Sequence, residues 1–257
     1  MTNDDLQLKI GQFCKDIKIP GFFQEFQKQE ADPAFCQEPF SRRLYLMLQA
    51  EIEYEKRQNK LFKESGIKDV MPDVARITYE SDRGLKKSLV NELSLCHWID
   101  QEQGLNVIIT GMAGTGKTWL AKALGKQAIN AGLSTVYWHA ATLIDRIKQA
   151  RSDNEPIQFR NRLNAKKLLI IDDFGMTPMD EATRDDFFSF IDERGQAGGS
   201  LIIASQRGFA DWYSYIGDKY HADAILDRLK NRSYFIELKG RSYRERTKEA
   251  KKVRAAE

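Results

Sequence analysis

The chain has 257 residues, of which 42% are apolar and 30% charged, and it carries a formal net charge of +3. That length suits one large domain or a core domain with an appendage, and the apolar share is enough to build a core without staples. So small a net charge neither demands nor excludes nucleic acid, so the distribution of charge matters more than its sum.

The opening MTNDDLQLKI is acidic and lacks an apolar h-region, so no signal peptide is expected. No apolar run approaches the ~18 residues of a membrane helix, which points to a protein without membrane partners. Cys14, Cys36 and Cys96 are odd in number and show no CxxC spacing. A reduced, cytoplasmic setting and inert thiols are expected, not zinc. Residues 1–38 are net acidic with weak helical signal. From Phe40 to about Glu64 the chain lacks Gly and Pro, and Phe40, Leu44, Met47, Leu48 and Ile52 recur at helical spacing, which predicts a long helix. Arg42, Arg43, Lys56, Arg57, Lys60 and Lys63 lie on its other faces, as a surface for duplex DNA or a partner. SGIKDVMPDVARITYESDRG then reads as a connector.

After Leu85 short β-rich runs alternate with helical stretches: LNVIIT, STVYWH, LLIID, SLIIAS and SYFIEL. Runs of this kind suit strands covered on both faces, hence a parallel sheet wrapped by helices. The expected organisation is a small helical N-terminal region over 1–75, an α/β domain over 76–245 and a basic tail over 246–257.

GMAGTGKT, residues 111–118, fits GxxxxGK[ST] between an apolar strand and a helix. Gly111, Gly114 and Gly116 let successive amides, with those of Met112, Ala113 and Thr115, turn inward onto phosphate oxygens, and the following helix adds its positive end at Trp119. Lys117 is expected to reach the outer phosphates and Thr118 to offer a hydroxyl to magnesium, so ATP and Mg2+ are the expected ligands. About 55 residues on, LLIIDDFG ends an apolar strand in two acids. Asp172 suits the second magnesium support. Asp173 suits the group that polarises the attacking water. The chain is about to leave the sheet at Phe174-Gly175, which frees both acids to approach the phosphates.

With these motifs, LIIASQRGFADW, IGDKYHADAILDRL and ELKGRSYRE, the chain resembles the IstB-like ATPases over about residues 40–245. These are AAA+ proteins related to the DnaC helicase loaders and encoded beside an insertion-sequence transposase. The resemblance implies an AAA+ P-loop NTPase fold, α/β with a five-stranded parallel sheet and its phosphate loop after the first strand. It makes Ser205 or Gln206 the phosphate-sensing residue after the fourth strand, although Ala204 stands where relatives often carry threonine. It makes Arg228, which spacing alone leaves on the surface beside the Ala222, Ile225, Leu226 and Leu229 stripe, an arginine finger for a neighbouring subunit, with Arg194 and Arg232 as weaker candidates. Arg244 would be the second sensor. Asp173 is one methylene shorter than the glutamate usual at its position.

The implied function is an ATP-dependent regulator of transposition that oligomerises on double-stranded DNA and delivers it to a transposase. Two alternatives stay open: a loader of a replicative helicase, and an ATP-gated DNA-binding module with very slow hydrolysis. Residues 239–257 hold eight Lys and Arg against three Glu, which reads more as a solvated terminus than as a DNA-facing tail, so the helix from Phe40 is the better surface for duplex or partner. Any DNA contact should be mainly to phosphates and strongly salt-dependent.

Overall fold

The computed structural model describes residues 2–69, 71–99, 104–177, 179–216 and 219–243. The chain divides into two compact units, Met1–Lys60 and Leu61–Glu257.

In the first unit, the weak helical signal before residue 38 resolves into two helices and a 3-10 turn. Helix α1 (Asn3–Asp16) starts at a reciprocal cap: Thr2 Oγ1 accepts from Asp5 N, and the Asp5 carboxylate accepts from Thr2 N. Helix α2 (Pro20–Ala31) has proline in its first turn, where the missing N–H is no loss. Asp32 caps the 3-10 turn Pro33–Gln37. Helix α3 (Phe40–Ser65) matches the expected span and runs through the boundary between the units. Its buried face is rotated from the expected stripe. Phe40, Leu48 and Ile52 are 76%, 52% and 53% exposed, and Met47 alone of that stripe is buried. The face that packs runs through Arg43, Met47, Ala50 and Tyr54. Gln29 Nε2 donates to the Arg43 carbonyl, Glu51 accepts from Phe22 N at 2.9 Å, and Gly21 lies so close that a Cβ there would meet Tyr54 Cβ at 2.7 Å. Polar bonds and one glycine contact therefore set the register, against the apolar count.

The second unit is built on strands β1 (Asn106–Gly111), β2 (Thr135–His139), β3 (Leu168–Phe174), β4 (Ser200–Ser205) and β5 (Ser233–Leu238). They pair in parallel in the order β2-β3-β4-β1-β5. Alternate residues feed two cores, as the strand period requires. Val107, Ile109, Leu168, Ile170, Ile202 and Ala204 face one core with α4 (Lys87–Ser94) and α5 (Lys117–Asn130). Ile108, Leu169, Ile171, Leu201 and Ile203 face the other. That second core is closed by α6 (Ala140–Ser152), α7 (Pro156–Asn164), α8 (Glu181–Gln196), α9 (Trp212–Ile216) and α10 (Lys219–Asn231). Covering on both faces is why the strands read as unbroken apolar runs. The connector is not a free linker: Ile67 and Ile77 are buried in the α5-side core, with 3-10 turns at Val74–Arg76 and Ser81–Arg83. Among the described residues no helix is long and apolar enough to cross a membrane.

Candidate nucleotide site

The loop after β1 places its glycines in backbone regions that side chains resist. Gly114 has φ +81° and Gly116 φ +96°. Their neighbours also exclude a Cβ: at Gly114 it would run into Ser242, and at Gly116 it would lie 2.8 Å from Arg83 Nη2. Helix α5 begins at Lys117 with no side-chain cap, so its first amides remain open to an anion. The Lys117 ammonium is nearly buried and donates to the Gly111 and Met112 carbonyls, both at 2.8 Å. Thr115 is buried and donates from its hydroxyl to the Met112 carbonyl, while Met112 and Ala113 form the exposed crown of the loop.

The two acids part within one residue. The β3–β4 register slips between Ile171 and Phe174, and Asp173 has φ +55°. Asp173 is thus a bulge within β3, and the strand re-pairs at Phe174 with Ser205 before leaving the sheet at the expected Phe174-Gly175 exit. Neither acid caps the next helix, since Asp180 does that for α8. Asp172 is fully buried, whereas the Asp173 side chain is 47% exposed. Asp172 Oδ1 accepts from Thr118 Oγ1 at 3.1 Å and from Asp173 N at 3.0 Å. Its Oδ2 accepts from the Tyr137 hydroxyl at 2.7 Å. Burial first, and then the Asp172 carboxylate, push the Tyr137 phenol far above its usual range, so it acts as a donor. His139 Nδ1 lies 3.9 Å from Asp173 Oδ2, and ligand atoms of His139, Asp172 and Asp173 fall within 4.8 Å of one another. The hydroxyl of Thr118 and the buried carboxylate of Asp172 are hard oxygen donors of the kind magnesium takes.

Strand β4 ends beside the loop, with Ser205 paired to Thr110. The Ser205 hydroxyl is buried and donates to the Phe174 carbonyl at 2.8 Å, while its oxygen accepts from Arg207 N. It ties β4 to β3. Gln206, the next residue, is exposed. Of the two candidates, Gln206 is the one with an exposed side chain. Gln206→Ala is expected to slow ATP turnover about 10²-fold, the effect of removing one aimed donor. Ser205→Ala is expected instead to lose about 1 kcal/mol of stability with turnover nearly unchanged. Parallel turnover assays and urea melts check the pair.

Beside the loop lies a cavity of about 320 Å³ lined by Arg76, Ile77, Thr78, Arg83, Gly116, Trp119 and Tyr243. Arg83 is buried, donates to the Thr78 carbonyl at 2.9 Å and sits 4.7 Å above the Tyr243 ring. Its Nε–H has no hydrogen-bond partner among the described residues. Tyr243 N donates to the Gly114 carbonyl, and its hydroxyl is 3.1 Å from Thr78 Oγ1. The connector, the phosphate loop and the segment after β5 therefore meet here. Trp119 was expected at the site; Arg83, Thr78 and Tyr243 were not, because nothing in their spacing ties them to the loop.

The remaining arginines divide sharply. Arg228 lies near the end of α10, ion-paired with Asp192 and with its side chain 61% exposed. It lines a cavity of about 440 Å³ with Asn106 and Leu201, at the strand ends opposite the phosphate loop. A six-residue strand, about 20 Å, separates it from Lys117. Leu226 and Leu229 of its helix are buried as expected, while the side chains of Ala222 and Ile225 lie outside the described set. Arg194 is fully buried and donates to the carbonyls of Leu163, Lys166, Lys167 and Ser200. Arg232 donates to the Gly195 and Gly104 carbonyls. Arg194 is thus committed inside the chain, and half-buried Arg232 partly so. Arg244 and the tail 246–257 lie outside the described residues. Cys14 and Cys96 are buried free thiols, and burial pushes Cys96 up to about 11.

A family model described as IstB-like ATP binding protein matches residues 13–251. An insertion-sequence ATP-binding protein of Sinorhizobium fredii is 37% identical over 168 residues, covering 65% of this chain and 67% of that one. One from Geobacillus stearothermophilus is 26% identical over 242 residues, covering 93% and 95%. The crystal structure of the DnaC helicase loader superposes with a TM-score of 0.57 at 18% identity, covering 65% of this chain and 97% of that one. That likeness fixes the fold as an AAA+ P-loop domain and nothing further.

Proposed function

The chain belongs to the IstB-like ATP-binding protein family, and from that premise we propose that it is an ATPase that assembles with copies of itself on double-stranded DNA and delivers that DNA to, or stimulates, a transposase. The observation that carries the hydrolytic part is the convergence of Lys117, Thr118, Asp172, Asp173 and Gln206 at the carboxyl ends of β1, β3 and β4. That is where open parallel sheets bind their ligands. The loop amides and the α5 N-terminus take the phosphates, and Lys117 moves its charge from the loop carbonyls onto the outer ones. Thr118 and Asp172 would hold magnesium, which when bound neutralises charge on the β- and γ-phosphates. Asp173 accepts a proton as a water oxygen attacks the γ-phosphorus, Gln206 orients that water, and the bond to the bridging oxygen breaks to leave ADP and phosphate. The cavity beside Gly116, where the Arg83 Nε–H has no partner among the described residues, takes the base and ribose.

The position of Arg228 at the strand ends opposite its own phosphate loop, with an exposed side chain, supports a role as an arginine finger for a neighbouring subunit. Arg228→Ala is expected to lower turnover about 10³-fold or more. Mixing it with Lys117→Ala subunits should return part of the activity, because some junctions then join an intact loop to an intact arginine. No recovery in the mixture would sink the proposal of action between subunits.

The DNA contact is assigned first to the basic end of the chain. The N-terminal unit holds nine Lys and Arg against ten Asp and Glu over residues 1–60. On α3, Arg42 and Arg43 are held by Glu38 and Glu30 at 3.2 and 2.7 Å. The net of five positive charges over 239–257 is the stronger attraction for phosphates.

A further inference from the structure

We infer that Tyr137 is a positioning residue for the metal-side acid, fixing which carboxylate oxygen of Asp172 faces Thr118. This inference rests on the nucleotide and magnesium reading of the site.

The strand period puts Tyr137 and His139 on the same face of the sheet as Ile170 and Asp172, since β2 pairs Tyr137 with Ile170 and His139 with Asp172. That face lies under α5, whose Lys122 Nζ sits 5.0 Å above the Tyr137 ring. A carboxylate torsion is soft and nearly two-fold, so burial alone does not choose between the two oxygens. Here the donors choose. Thr118 and the Asp173 amide both address Oδ1, and among the described residues the Tyr137 hydroxyl alone addresses Oδ2. A magnesium ion held at Thr118 would compete for Oδ1 and leave the Tyr137 bond untouched. The phenol is thus the contact that keeps Asp172 oriented when the other partners change. Its oxygen also lies 3.3 Å from His139 Nε2, which holds the hydroxyl from the second side.

Tyr137→Phe removes the hydroxyl and keeps the ring that packs under Lys122. Partners of metal ligands at this remove typically alter metal affinity 10- to 100-fold. The test titrates Mg2+ while following binding of a fluorescent, non-hydrolysable ATP analogue, alongside the same binding without metal and the thermal midpoint. The expected result is a Mg2+ half-point raised about 10-fold or more, with metal-free binding unchanged and the thermal midpoint lowered by only about the loss of one buried hydrogen bond. An unchanged half-point would overturn the inference. So would an equal loss of metal-free binding or a large drop in midpoint, which would mark Tyr137 as a packing residue. If the wild-type protein itself bound the analogue with no response to Mg2+, the reading of the whole site would fail along with it.

Discussion

Asp173→Asn is expected to lower ATP turnover by roughly 10²–10⁴-fold, the usual contribution of a positioned base, while nucleotide binding and self-assembly persist. The exchange isolates the charge for a reason visible in the backbone. Asp173 sits at φ +55°, where most side chains are strained and asparagine is among the best tolerated. Alanine there would add strain of about 1–2 kcal/mol and blur the result. The amide of Asp173 also donates to Asp172 Oδ1, so a distorted backbone would reach the metal-side acid; asparagine leaves that bond in place. Asp172→Asn should behave differently. Its carboxylate is fully buried and accepts from Thr118, Tyr137 and the following amide, so its loss should weaken Mg2+-dependent nucleotide binding itself. Equilibrium binding of an ATP analogue beside steady-state turnover separates the two. Loss of binding in Asp173→Asn would show that the roles of the acids are wrongly divided.

Much of this site is written in the chain because backbone physics restricts it. A loop that aims successive amides at phosphate needs glycines at fixed offsets, so Gly111 to Thr118 can be recognised without a fold. The five apolar runs became the five strands for a similar reason: burial on both faces leaves little freedom in composition. What spacing hides is what strand order creates. Tyr137 and His139 reach the acids because β2 lies beside β3, a neighbour relation that STVYWH does not encode locally. Arg83 precedes the loop by about 30 residues and arrives there through the buried connector. Spacing likewise hides what separates Ser205 from Gln206, a single hydroxyl bonding the Phe174 carbonyl across the sheet. In the N-terminal unit the helical character is legible but the separate helices before residue 38 are faint, because their ends are set by the Thr2 cap, the first-turn Pro20 and Asp32, while their faces are only half buried and so weakly patterned.

Arg194→Ala is expected to cost about 3–5 kcal/mol of stability. The guanidinium is fully buried, with no carboxylate partner among the described residues. Its N–H groups are met by the carbonyls of Leu163, Lys166 and Lys167, at the end of α7 and the approach to β3, and by the carbonyl of Ser200 at the start of β4. These carbonyls gather where the negative end of the α7 dipole points, which supplies the compensation an acid would otherwise give. Burial still draws the arginine down to about 10, so it stays charged throughout the neutral range. Removing it leaves several buried acceptors without donors and opens a cavity among α7, α8 and β4. Lysine is not a substitute, since one ammonium cannot span the fork of bonds that a planar guanidinium makes. Urea denaturation measures the loss. Nucleotide affinity of the remaining folded protein should match the wild type, because the strands separate Arg194 from Lys117. A stable Arg194→Ala protein defective only in turnover would instead return Arg194 to the list of groups that reach a neighbouring nucleotide.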